Sequence, residues 1–161
     1  MKLKVIALVV LQLTASYAYA GVKDKKAIRG ADEVLIENVA KTQAACGNAV
    51  LETTSDWASF EAMIESNADV LADKKYQTQW IYSQAGERNA AVLEALAKVC
   101  ADDADYKEEI ANLSQVIFVS KADFTDTWSD LSLEGNTLTV NVGHYMTRRS
   151  DDYISKIKAL Y

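Results

Sequence analysis

Apolar residues recur at helical spacing along Asn89–Cys100 (NAAVLEALAKVC), where Val92, Leu93, Leu96, Val99 and Cys100 make one stripe. Glu94 and Lys98 lie off that stripe, four residues apart in the favourable order. The spacing predicts an amphipathic helix that ends in one of the chain's two cysteines. A helix with the same ending is expected over about Ala31–Cys46, because Leu35, Val39, Thr42 and Cys46 share a face and Gly47 supplies a stop.

The segments around these two helices alternate between signals. Ala49–Thr53 is short and β-tolerant, and Thr53, Thr54, Ser55 and Asp56 gather N-capping side chains before a helix to about Asn67. Trp57, Phe60, Met63 and Ile64 form the apolar face of that helix. Residues 68–84 fit both periods: Tyr76, Thr78, Trp80 and Tyr82 alternate as in a strand, yet Tyr76, Trp80 and Ile81 also fit a helical turn. Beyond Cys100, Asp102, Asp103 and Asp105 give an acidic start to a short helix with Tyr106, Ile110 and Leu113 inside, and Asp105 with Glu108 resembles a capping box. Gln115–Ser120 (QVIFVS) is a continuous apolar run of the kind a strand covered on both faces shows.

The clearest local structure is a hairpin between Trp128 and Gly143 that turns at Gly135-Asn136. That turn places Glu134 opposite Thr137, Leu133 opposite Leu138 and Leu131 opposite Val140, with Ser132, Thr137, Thr139 and Asn141 on the wetter face. A last helix begins near Ser150, with Asp151 and Asp152 in its first turn, Lys156 and Lys158 near its end, and Tyr153, Ile154, Ile157, Leu160 and Tyr161 as its buried stripe. Together these elements predict one α+β domain over 31–161. Its small antiparallel sheet has three to four strands, near 49–53, 115–120, 127–134 and 137–143, and about five helices pack on it.

Composition changes this picture first at the N-terminus. Lys2 and Lys4 precede the apolar run Val5–Leu13, and Ala18-Tyr19-Ala20 supplies a small-x-small cut before Gly21, so residues 1–20 read as a cleaved export signal. The run is far shorter than the ~20 residues that span a bilayer. Residues 21–30 (GVKDKKAIRG) read as a flexible leader. Removing the signal leaves 15 basic and 23 acidic residues, a net charge of −8. Such a balance disfavours nucleic acid and allows a cationic partner. In an exported chain the two cysteines are expected to pair, Cys46 with Cys100, which joins the C-termini of two helices through a loop of about 54 residues.

Candidate chemistry is sparse. The single histidine, His144, sits just past the hairpin. No G-x-S-x-G elbow, no glycine-rich phosphate loop and no paired Cys-x-x-Cys occurs, so no cofactor and no metal are expected. The carboxylate pairs at 102–105, 108–109 and 151–152 stand at helix starts, where capping accounts for them. The Asn112-Leu113-Ser114 sequon depends on a glycosylating host. Two surface candidates remain. Tyr76, Trp80 and Tyr82 offer aromatic rings that stack on sugars or anchor a protein, unless they belong to the core. His144-Tyr145-Met146-Thr147-Arg148-Arg149 is a basic, aromatic loop before the last helix, suited to an anion unless its arginines pair with nearby carboxylates. The expectation is an exported, non-enzymatic domain, periplasmic or secreted, that binds a protein, peptide or glycan, acts as an inhibitor or serves a structural role in the envelope. The rival is a small exported hydrolase using carboxylates or His144.

Overall fold

The computed structural model describes residues 21–161. The chain runs α1 (Val22–Cys46), β1 (Glu52–Asp56), α2 (Trp57–Ser66), α3 (Ala68–Asp73), α4 (Thr78–Asp102), α5 (Ala104–Ile110), β2 (Gln115–Ser120), β3 (Asp130–Glu134), β4 (Thr137–Val142) and α6 (Asp151–Lys158). The expected signal, with its cut between Ala20 and Gly21, lies outside the described residues.

Two helices of 25 residues each, α1 and α4, form the frame. They run side by side in the same direction, tied at matching heights. The Thr78 hydroxyl donates to Asp24 at the first turns (2.8 Å), Gly86 packs against Ala31 near the middle, and the Thr42 hydroxyl donates to the Leu93 carbonyl (2.9 Å). The Cys46–Cys100 disulfide closes the far end, as the sequence predicts, over 54 residues. Gly47 ends α1 in the left-handed conformation (φ +69°) that its stop position requires.

Residues 22–30, expected as a flexible leader, are helical. Ala27 and Ile28 pack against the core, and Asp24 stands in the first turn where a carboxylate complements the helix dipole. The ambiguous stretch resolves into α3, a left-handed corner at Lys75 and the opening turns of α4. Ile81, Tyr82 and Ala85 extend the apolar stripe of the Asn89–Cys100 helix toward its N-terminus. Six helices result among the described residues, where the sequence predicts about five. The first strand lies three residues later than expected, so Thr53, Thr54 and Ser55 are paired in β1, and Asp56 alone caps α2 by accepting from the Ser59 amide. Asp103 caps α5, accepting from the Asp105 amide, so the expected box between Asp105 and Glu108 is not the cap. Ser150 makes no cap bond with its side chain; it accepts from Lys98 Nζ (2.8 Å) while Asp152 accepts from the Arg149 amide (2.8 Å).

The sheet has the order β1-β2-β4-β3 and is mixed, not antiparallel. β1, β2 and β4 are parallel, and only β3–β4 is antiparallel. The connection through α2–α5 returns the chain so that β2 runs parallel to β1, whereas 121–129 passes into β3, which runs opposite to β2, and the hairpin then brings β4 back parallel to β2. The hairpin register is as expected: Glu134 faces Thr137, Leu133 faces Leu138 and Leu131 faces Val140. Val116, Phe118, Leu138, Val140 and Val142 form the buried face and share one core with α4, Phe60, Met63, Tyr153 and Ile157. Ile117 and Val119, on the other face of β2, are only half-buried, so this strand is covered on one face and not on two. Tyr161 is also not part of the α6 stripe; its ring is substantially exposed and meets the Tyr106 ring edge-on.

Candidate functional site

Three parallel strands end together, so the loops at 121–129 and 143–150 gather at one end of the sheet, where α/β proteins place binding groups. His144 lies there but is only 1 % exposed. Its ring stacks on Phe124 (6.0 Å, 19°) and meets Phe60 edge-on (6.1 Å, 87°). Nε2 stands 3.1 Å from the Lys121 carbonyl, which accepts only, so Nε2 carries the proton; Ser120 Oγ is 3.2 Å away. That tautomer leaves Nε2 no lone pair with which to activate Ser120. Burial lowers the His144 pKa, with the nearby Arg88 charge acting in the same direction. The histidine stands on a loop, as its place just past the hairpin suggests, but its ring is buried in the core.

Around it the polar groups satisfy one another. Lys121 Nζ bridges Asp126 (2.8 Å) and Asp130 (2.6 Å); burial opposes its charge, but the two carboxylates outweigh that and raise its pKa. Among the described residues no three His, Cys, Asp or Glu side chains converge as a metal site requires.

The expected aromatic surface divides. Tyr82 is core: it is 2 % exposed, meets Trp57 edge-on, and burial pushes its pKa up to about 12. Trp80 stands on the surface and Tyr76 is half-buried against the core, and both meet a residue from the other candidate segment. Tyr76 meets Trp80 (5.4 Å, 89°), Tyr145 (6.0 Å) and Phe124 (5.0 Å), and its hydroxyl bonds Gln84. Trp80 (42 %), Tyr145 (47 %) and Met146 (47 %) are exposed, and Lys74 Nζ lies 4.8 Å from the Tyr145 ring centre. Residues some 65 positions apart in sequence thus form one aromatic knob.

Its backbone is strained in two places. Tyr145, at φ +69°, is the centre of a three-residue turn closed by the Met146 amide on the His144 carbonyl (2.8 Å), the rarer and costlier form of that turn. Lys75, at φ +52°, takes the left-handed corner after α3 that glycine usually fills, with the Tyr76 amide reaching back to the Leu71 carbonyl (2.8 Å). Each such residue costs of order 1–3 kcal/mol and persists because its surroundings fix it. For Tyr145 the fixing group is Arg88. It is 3 % exposed, and both Nε (2.9 Å) and Nη2 (2.6 Å) donate to the Met146 carbonyl. No carboxylate among the described residues pairs with it. Burial lowers its pKa, yet a guanidinium stays protonated.

The two arginines do not pair with carboxylates as expected. Arg148 donates through Nε and Nη2 to the Thr127 carbonyl (3.2 and 3.1 Å) and lies 3.7 Å above the Trp128 ring, with Lys156 at 5.2 Å. Arg149 is exposed and bonds through its backbone. A wide-open groove of about 490 Å³ runs past them along α1 and α4, with Glu87, Glu94 and Asp151 balanced by Lys98, Arg148 and Arg149. This balance does not favour an anion.

Sequence reasoning missed Arg88, Trp128 and Lys74. Arg88 carried a readable signal: three residues after Ala85 and four before Val92, it stands on the apolar stripe of its helix, where a charge needs a reason. Among the described residues no helix is long and apolar enough to cross a membrane. No protein-family model, curated protein or solved structure matches the chain.

Proposed function

We propose that this is an exported, non-catalytic binding protein that docks a protein partner through the knob of Tyr76, Trp80, Tyr145 and Met146. The observation that carries the reading is the strained turn at Tyr145, held by a buried arginine, which presents an exposed ring beside Trp80 instead of burying it. Tryptophan and tyrosine anchors of this kind dominate protein interfaces. The rings meet edge-on, which makes a ridge that enters a pocket, whereas a sugar face asks for an open flat ring. The disulfide fits an oxidising, exported compartment. Against a hydrolase stand the buried His144, whose Nε2 is already committed as a donor, and the engagement of Asp126 in an ion pair and of Asp103 in a cap.

The test immobilises the wild-type protein, a Trp80→Ala/Tyr145→Ala variant and a Lys41→Ala control on a surface distant from the knob. Each is exposed to the exported protein fraction of the source cells. A protein retained by wild type and control but lost from the double variant supports the reading. Equal retention by all three, or none by any, overturns it.

A further inference from the structure

The sheet carries a second surface with a regular chemical pattern. Parallel strands are normally covered on both faces, but here one face of β1-β2-β4-β3 carries no buried residue. The strand registers arrange that face in three rows. The first reads Glu52, Gln115, Thr137, Glu134; the second Thr54, Ile117, Thr139, Ser132; the third Asp56, Val119, Asn141, Asp130. Both outer rows therefore begin and end on a carboxylate, and the middle is uncharged. Ile117 and Val119, with the threonine methyls, give that middle an apolar line along β2 and β4. Glu52 and Glu134 form no ion pair among the described residues. Asp56 also caps α2, and Asp130 pairs with Lys121.

The dimensions select an occupant. Neighbouring strands lie about 4.8 Å apart, so the β1 and β3 rims stand roughly 14 Å apart across three spacings. An α-helix with its side chains is about 10–12 Å wide. We infer that the open sheet face docks an amphipathic helix of a partner protein, laid along β2 and β4 with its apolar stripe on Ile117 and Val119 and lysines or arginines on both flanks reaching the carboxylates of β1 and β3. Long basic side chains suit this geometry, since their stems cover apolar surface while the charged heads reach the rim. The acid rim also repels anionic partners, so it selects by charge as well as by shape. An acidic chain overall, at −6, gives the same sign of long-range steering. This surface is separate from the knob at Trp80 and Tyr145.

The probe is a 14-residue peptide, LKKLLKLLKKLLKL, added to ¹⁵N-labelled full-length protein. Two controls have the same length: one has every Lys replaced by Glu, and the other keeps the composition with the order scrambled to abolish the amphipathic face. Saturable shifts at Ile117, Val119 and Thr139, weakened at least tenfold by Glu52→Lys/Glu134→Lys and unchanged by Trp80→Ala/Tyr145→Ala, support the inference. Both charge-reversal sites are exposed, and circular dichroism checks that the variant is folded. Absence of saturation at millimolar peptide, shifts mapping elsewhere, or equal binding of the scrambled peptide overturns it.

Discussion

Replacing Gly86 by alanine sets two effects of opposite sign against each other. In a helix interior alanine is favoured over glycine by about 1 kcal/mol, so propensity predicts a more stable protein. The crossing of α1 and α4 predicts the reverse. A Cβ at Gly86 would stand 2.6 Å from Ala31 Cβ and 2.8 Å from Ala31 Cα, where ordinary contact begins near 3.4 Å. The helices must part by nearly 1 Å, but the disulfide holds one end and the Asp24–Thr78 bond the other. Parting them also loosens Leu35 and Ala85, which lie in the same core. Overpacking of this kind costs typically 1–3 kcal/mol, and more where backbone must move, so the net loss expected for Gly86→Ala is about 1–3 kcal/mol. Gly30→Ala is the control: it lies inside α1 with nothing within 4 Å of its Cβ position, so propensity acts alone and the variant gains about 0.5–1 kcal/mol. Ala31→Gly added to Gly86→Ala removes the Cβ overlap but not the 2.8 Å approach to Cα, so it restores only part of the loss. Urea unfolding followed by circular dichroism measures all four proteins. A Gly86→Ala variant as stable as wild type, alongside a stabilised Gly30→Ala, refutes the close crossing.

Two further outcomes follow from the same frame. Cys46→Ser/Cys100→Ser opens a 54-residue loop, for which chain entropy gives a loss of about 4 kcal/mol; urea midpoints with and without reductant measure it, and a loss below about 1 kcal/mol contradicts that account. Burial lowers the His144 pKa against an unfolded value near 6.5, so the folded state takes up its proton at lower pH than the unfolded chain. Stability from this group is complete above pH 6.5 and falls as pH drops toward the folded value, by at most about 1.4 kcal/mol per pH unit. Arg88, Lys121 and Asp126 face the ring, and burial outweighs the opposing hydrogen bond to the Lys121 carbonyl and the weaker pull of Asp126. Asp123 and Asp126, with lowered pKa values, lose their share only below about pH 3.8, in a separate window. Unfolding between pH 4.5 and 7 should lose its slope in His144→Gln; an unchanged slope assigns it elsewhere.

How much the sequence revealed depended on whether the cause was local. The hairpin was readable residue by residue, because turn chemistry and alternation agree at Gly135-Asn136. The disulfide was readable because only two cysteines exist and both end apolar stripes. Strand direction was not, because β1 and β2 are brought parallel by four intervening helices and no residue in either strand records that path. The helical start of α1 was hidden by its lysines: only Ala27 and Ile28 touch the core there, too few to show a period. Tyr76 and Tyr82 share a residue type and a segment, yet one is half-buried at the edge of the core and the other lies inside it. The difference arises because α4 begins between them, at Thr78, and turns Tyr82 inward. The knob itself was half-legible: both of its segments stood out separately, but only the fold brings Tyr145 beside Tyr76.

The parallel pairing of α1 with α4 also sets an order of assembly. Everything the covalent ring needs is present once Cys100 has emerged from synthesis, yet β1 inside that ring has no strand to pair with until β2 follows. A nascent chain can therefore lock its helical frame while an unpaired strand edge and the apolar side of α4 remain uncovered. Aggregation is most dangerous in that interval, and it ends only when Gln115–Ser120 slots beside β1.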